Sequence, residues 1–172
     1  MKKVSKGFFL GSVVFGLGIG LVLAIIGTME ARKGNLSDLL AIRSVALLFM
    51  LYGATANGIL FYRMWKAIQD GFARTTPARA IALSLIPLFG FYWVFQLLWG
   101  FSKDYNAYIA RHNIQTRKLP EDLFLVCCIL IATGWIPHVG IFLVTANFFV
   151  GLVMVSRICD AINALSAGET RA

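Results

Sequence analysis

Charge is scarce in this chain. Lys, Arg, Asp and Glu make up 14% of its 172 residues, where a soluble domain carries about 25%. It is missing in blocks. Residues 8–28, 44–62, 80–102 and 123–156 hold no charged side chain at all. Runs of about 18 or more such residues read as membrane spans. Cysteine is also sparse: Cys127, Cys128 and Cys159 form an odd set with two neighbours adjacent, which argues against a disulfide framework. The vicinal pair reads as small buried residues. His112 and His138 are the only histidines. The layout derived below puts them at opposite membrane faces, so they cannot jointly ligate a haem.

Reactive motifs are absent as well. There is no G-x-S-x-G, no H-E-x-x-H, no phosphate loop and no converging pair of carboxylates. An enzyme is therefore the least supported class, and no catalytic residue, metal or cofactor is expected. Acids and bases within a membrane are the usual mark of ion coupling, and the four apolar runs have none. Their main polar residues are the neutral Asn57, Gln96 and Asn147, which suit hydrogen bonds between helices. An ion-coupled pump is disfavoured; a passive pore is not.

What is present is apolar: 59% hydrophobic residues and a mean hydropathy of +0.77. The first run is too long for a typical signal-peptide core, and no A-x-A-like cleavage site follows it. It reads as an uncleaved span over 8–28. A second span covers about 41–66. The stretch 123–156 would reach roughly 50 Å as one helix, against a hydrocarbon core of about 30 Å. The break "GWIPHVG" at 134–140 makes it a helical hairpin instead.

The run 80–102 is long enough to cross once, but "IPLFG" at 86–90 could turn it back. Basic residues decide, because they concentrate in cytoplasmic loops. A single crossing leaves 7 Lys and Arg inside and 9 outside. A hairpin leaves 13 inside and only Arg32, Lys33 and Arg43 outside. The hairpin is preferred, with both termini cytoplasmic. Two full crossings need roughly 40 residues, so its arms must borrow flanking residues or stop at partial depth. The turn around Pro87 and Gly90 should then pack against other helices, since non-helical backbone in lipid needs cover. The polar segment 103–120 is cytoplasmic. The I-P-x-x-G pattern occurs at 86–90 and again at 136–140. It marks two similar turns, at Pro87 and Gly90 and at Pro137 and Gly140. The expected fold is all-α and polytopic, one domain over 1–172, with two spans followed by two Pro/Gly-broken hairpins.

From Trp65 to Phe95 the residues Trp65, Arg74-Thr75-Thr76-Pro77, Ile86-Pro87, Phe89, Tyr92, Trp93 and Phe95 spell W…R-T-x-P…I-P-x-F-x-x-Y-W-x-F. This stretch resembles a group of uncharacterised bacterial multi-span inner-membrane proteins of the domain-of-unknown-function kind. The group pattern often has glycine after the first proline and asparagine before the aromatic pair, where this chain has Ala78 and Gly90. The resemblance covers about a fifth of the chain. It implies a bacterial inner membrane and no reaction.

The first span carries Ser12, Gly16, Gly20, Ala24 and Thr28 at spacings of four. Small residues so spaced let helix backbones approach, either within the chain or at a contact with another protein or a second copy. Tyr92, Trp93 and Trp99 suit interfacial anchoring or core packing. The cytoplasmic face, with 13 basic residues and 6 acidic, should attract anionic lipid. Its basic residues are dispersed along the bilayer, which does not suit nucleic acid. Two functions fit: a non-catalytic membrane subunit or scaffold, and a small permease or channel component built on the two broken hairpins.

Overall fold

The computed structural model describes residues 3–34, 36–136 and 139–169. Among them the regular structure is all helical, with no strand. Three helices are long and apolar enough to cross a membrane: Lys6–Ala31, Leu36–Ala67 and Gly140–Ala167. The chain divides into two compact units, one over 7–59 and one over 1–6 with 60–172.

The 7–59 unit is an antiparallel helix pair. Helix α1 spans residues 6–33. It is α-helical over Lys6–Ser12, widens to a π-helical turn over Val13–Gly18, and is α-helical again over Ile19–Lys33. It ends on Gly34 at φ 78°, a left-handed cap that glycine adopts without a Cβ penalty. Helix α2, Leu36–Ala67, then runs back for 32 residues. Small residues set the contact. A Cβ on Gly16 would lie 2.6 Å from the Cα of Gly53, and one on Gly20 would lie 2.7 Å from the Met50 side chain. Ser12 and Tyr52 share a 3.2 Å hydroxyl hydrogen bond, and Phe15 meets Phe49 edge-on.

The other unit begins with the end of α2. After a loop come α3, Pro77–Ser84, and α4 over residues 89–111. Helices α5, Glu121–Thr133, and α6, Gly140–Glu169, follow. Local chemistry accounts for two of the helix starts. Thr76 caps α3 by accepting from the Arg79 N–H, and Pro77 takes the first turn, where its missing N–H costs nothing. Pro120 precedes Glu121 and Asp122 in the first turn of α5, where acids favour the helix dipole.

Both α3–α4 and α5–α6 fold back on themselves. Arg74 lies against Asp104, Ala80 against Trp93, and Ser84 against Gly90. Cys127 lies against Asn147, and Gly134 against Val144. The core is at the end away from the turns. Trp65, Phe101, Tyr105, Phe124 and Ile158 are fully buried there. Extended segments are tied to it by asparagine amides that bond a backbone N–H and C=O together. Asn106 holds Leu119 in this way, and Asn163 holds Val4. The turn end is bare and apolar by contrast: Leu88 is 83% exposed and Trp135 77%.

Candidate functional site

The residues of the W…R-T-x-P…Y-W stretch gather on the first hairpin and its supports. Helix α4 is α-helical over Phe89–Val94, π-helical over Phe95–Trp99 and α-helical again over Gly100–Arg111. A π turn shifts carbonyls off the i→i+4 ladder, and such groups need other donors when buried. Trp65 supplies one, its Nε1–H donating 3.2 Å to the Leu97 carbonyl while its ring packs edge-on to Phe101. The Cys128 thiol donates 3.5 Å to the Val94 carbonyl.

Arg74 closes the open end of the hairpin. Its Nε and Nη2 donate to Asp104 Oδ1 at 3.0 and 2.7 Å, and its backbone N–H donates to Oδ2 at 3.0 Å. Nη1 reaches Gln96 Oε1 at 3.0 Å, and Gln96 donates in turn to the Tyr92 hydroxyl at 3.3 Å. Gly100 leaves room for this guanidinium, since a Cβ there would stand 2.9 Å from Nη1. Midway along, the Trp93 Nε1–H donates 2.9 Å to the Ala80 carbonyl at the buried Ala80, and its ring stacks on Phe89. Trp65, Arg74, Pro77, Tyr92 and Trp93 thus form one structural clasp.

A second polar cluster holds the loop after α2. Asp70 Oδ2 accepts from Arg111 Nη2 at 2.8 Å and Nε at 3.2 Å, and lies 3.2 Å from His112 Nε2. Hydrogen bonding to Arg111 holds the Asp70 carboxyl down at about 2. His112 is thus engaged with a carboxylate. His138 and Pro137 lie outside the described residues. Among the described residues no three His, Cys, Asp or Glu side chains gather to hold a metal. Among the described residues the buried Tyr105 hydroxyl meets no partner in good hydrogen-bond geometry; burial pushes its pKa up, and the Thr116 side chain opposes that shift.

The small-residue stripe of α1 is occupied from within the chain. Ser12, Gly16 and Gly20 are buried against α2, and Ala24 is half-buried. Gly140 begins α6 so close to the Gly134 carbonyl that no Cβ fits, and Gly90 sits likewise over the Ser84 carbonyl. The turn at Pro87 differs from expectation. It is exposed rather than packed under other helices: Leu85 is 76% exposed, and a ring contact between Phe91 and Trp135 joins the two turns. Most of its backbone N–H groups, those of Leu85, Ile86, Phe89, Gly90 and Phe91, find partners within the turn and its flanks, which lessens its need for cover from other helices.

The partners of the clasp, Asp104, Gln96 and Gly100, escape a motif reading because they lie 22 to 30 residues from Arg74. Arg111 and His112 pair with Asp70 across 41 and 42 positions. No local pattern announces either pairing. Comparison of the chain with protein-family models, with characterised proteins and with solved structures finds no match in any of the three.

Proposed function

We propose that this chain is a non-catalytic integral membrane subunit or scaffold of a bacterial inner membrane. In this reading α1 and α2 cross the bilayer fully, and the two hairpins enter from the side that carries both termini. One observation carries the non-catalytic reading: the polar side chains of the W…R-T-x-P…Y-W stretch and their partners are engaged in holding the first hairpin together. Arg74, Asp104, Gln96, Trp65 and Trp93 all end on protein groups of the same unit. What remains outward-facing is apolar, at most 28% of each long helix's most apolar window being buried. Such a surface suits lipid and the packing of partner helices. The basic excess at the open end of the hairpins favours anionic head groups.

The test is mild affinity purification from native membranes with mass spectrometry of what co-elutes. A stoichiometric partner protein, or a defined homo-oligomer, supports the subunit reading. Recovery of a lone chain with lipid only counts against it.

The contact between Phe91 and Trp135 favours one second reading, a small permease component. It brings two broken-helix turns together, and transporters place such breaks at their binding sites. In that case the turns line water and react with aqueous thiol reagents.

A further inference from the structure

We infer that the first hairpin turn, residues 85–89, ends inside the hydrocarbon, short of the far interface, and that acyl chains of the far leaflet cover it. This rests on the membrane reading above and adds a depth to it. Three observations lead there.

The first is length. The hairpin is closed at its open end by the Arg74–Asp104 pair. From Asp104 back to Phe89 the helical rise is about 22 Å. Helix α5, with 13 residues, rises about 20 Å. The Phe91–Trp135 contact, with ring centroids 5.7 Å apart, sets both turns at one height. A hydrocarbon core of about 30 Å leaves roughly 8 Å beyond them.

The second is turn chemistry. A turn in water draws on Gly, Asn, Asp and Ser. This one reads Leu85-Ile86-Pro87-Leu88-Phe89, without one polar side chain. Leu88 stands at φ 64° and ψ −50° while 83% exposed. Leucine rarely adopts that conformation, and glycine would take it freely in an aqueous loop.

The third is hydrogen bonding, and it explains the second. The N–H groups of Leu85, Ile86, Phe89, Gly90 and Phe91 donate to nearby carbonyls and Pro87 has none to satisfy, which leaves the Leu88 N–H as the one donor of 85–91 without a bond among the described residues. The Leu88 conformation closes a three-residue turn in which the Phe89 N–H donates 2.7 Å to the Pro87 carbonyl. Water would satisfy these groups at an aqueous loop. Lipid cannot, so backbone at membrane depth must do it internally.

The test uses the full chain with Leu88→Cys or, separately, Trp135→Cys, reconstituted in phosphatidylcholine vesicles. The native cysteines are buried, and the unsubstituted chain gives their baseline. An impermeant maleimide is applied to each face of intact vesicles and again after detergent. A bimane placed on each new thiol is read against lipids with a nitroxide at the head group, at carbon 5 or at carbon 12. The expected result is loss of labelling from both faces, full labelling in detergent, and strongest quenching by carbon 12. Labelling from the far face, or strongest quenching by the head-group nitroxide, overturns the inference while leaving a membrane protein. Extraction of the unsubstituted chain from its membranes by alkaline carbonate overturns the membrane reading itself. The second thiol keeps the test decisive should the first variant fail to fold.

Discussion

Glycine 16 and glycine 11 lie five residues apart on α1, and the same substitution should move stability in opposite directions at the two sites. At Gly16 a new Cβ meets backbone: 2.6 Å from both Cα and N of Gly53, and 3.0 Å from the Phe49 carbonyl oxygen. Carbon contacts are comfortable at about 3.5–4.0 Å, so the helix axes must part by about 1 Å. That loosens the Ser12–Tyr52 hydrogen bond and the Phe15–Phe49 contact as well. At Gly11 nothing lies within 4 Å. In both variants alanine gains about 1 kcal/mol of helix propensity, so the difference between them isolates the overpacking cost. That cost is about 1–3 kcal/mol. Gly16→Ala should come out less stable than Gly11→Ala by that amount, and Gly11→Ala should be as stable as the parent chain or more so. Unfolding in mixed micelles with rising dodecyl sulfate, followed by far-ultraviolet circular dichroism, measures both. Equal midpoints for the two variants would refute the close approach of α1 and α2.

Other variants probe the second unit. Trp65→Phe keeps the ring but strands the buried Leu97 carbonyl of the π turn, and should cost about 1–3 kcal/mol in the same assay. Arg74→Lys removes the multiple bonds to Asp104 and Gln96 while keeping the charge. A loss of about 1–2 kcal/mol is expected, with little recovery over Arg74→Ala. Tyr105→Phe removes a buried hydroxyl that meets no partner in good hydrogen-bond geometry, so it should be neutral or stabilising; a clear loss would reveal a bond to that oxygen. Asp70 adds a pH dependence. Its carboxyl titrates lower when folded, at about 2 against an ordinary 3.8. Its stabilisation is therefore complete above pH 4 and is lost as pH falls toward 2. A melt series should show this acid limb weakened in Asp70→Asn, and an unchanged limb would count against the Arg111 pairing.

The helical character was legible because charge-free runs long enough to span are a matter of composition. Helices α1 and α2 follow directly from 8–28 and 41–66. The break at Pro87 was legible too, since proline and glycine together punctuate locally. The spacing-by-four stripe pointed to a packing face, but its counterpart on α2 is less regular. Ala46, Met50 and Gly53 fall at intervals of four and three, which singles out no face by itself. The clasp was only half visible. Trp65, Arg74 and Trp93 stand out by type, whereas what they bind are backbone carbonyls and one distant aspartate. The π turn over Phe95–Trp99 has no local sequence signal, and the side chain that bonds its Leu97 carbonyl, Trp65, lies 32 residues away. The conformation of the turn at Leu88 was unreadable for a related reason. Leucine at positive φ runs against local preference, and only the pattern of backbone donors accounts for it.

The sidedness of the segment between the hairpins tests the account most directly. Ala110 is exposed near the end of α4, and Leu36 is exposed at the start of α2. Ala110→Cys and Leu36→Cys, each in the full chain in intact cells, should react differently with an impermeant thiol reagent. The account predicts labelling of the Leu36 site from outside and of the Ala110 site only after the cytoplasmic face is opened. Labelling of the Ala110 site from outside would mean that residues 80–102 cross the membrane once, and the hairpin layout would fall.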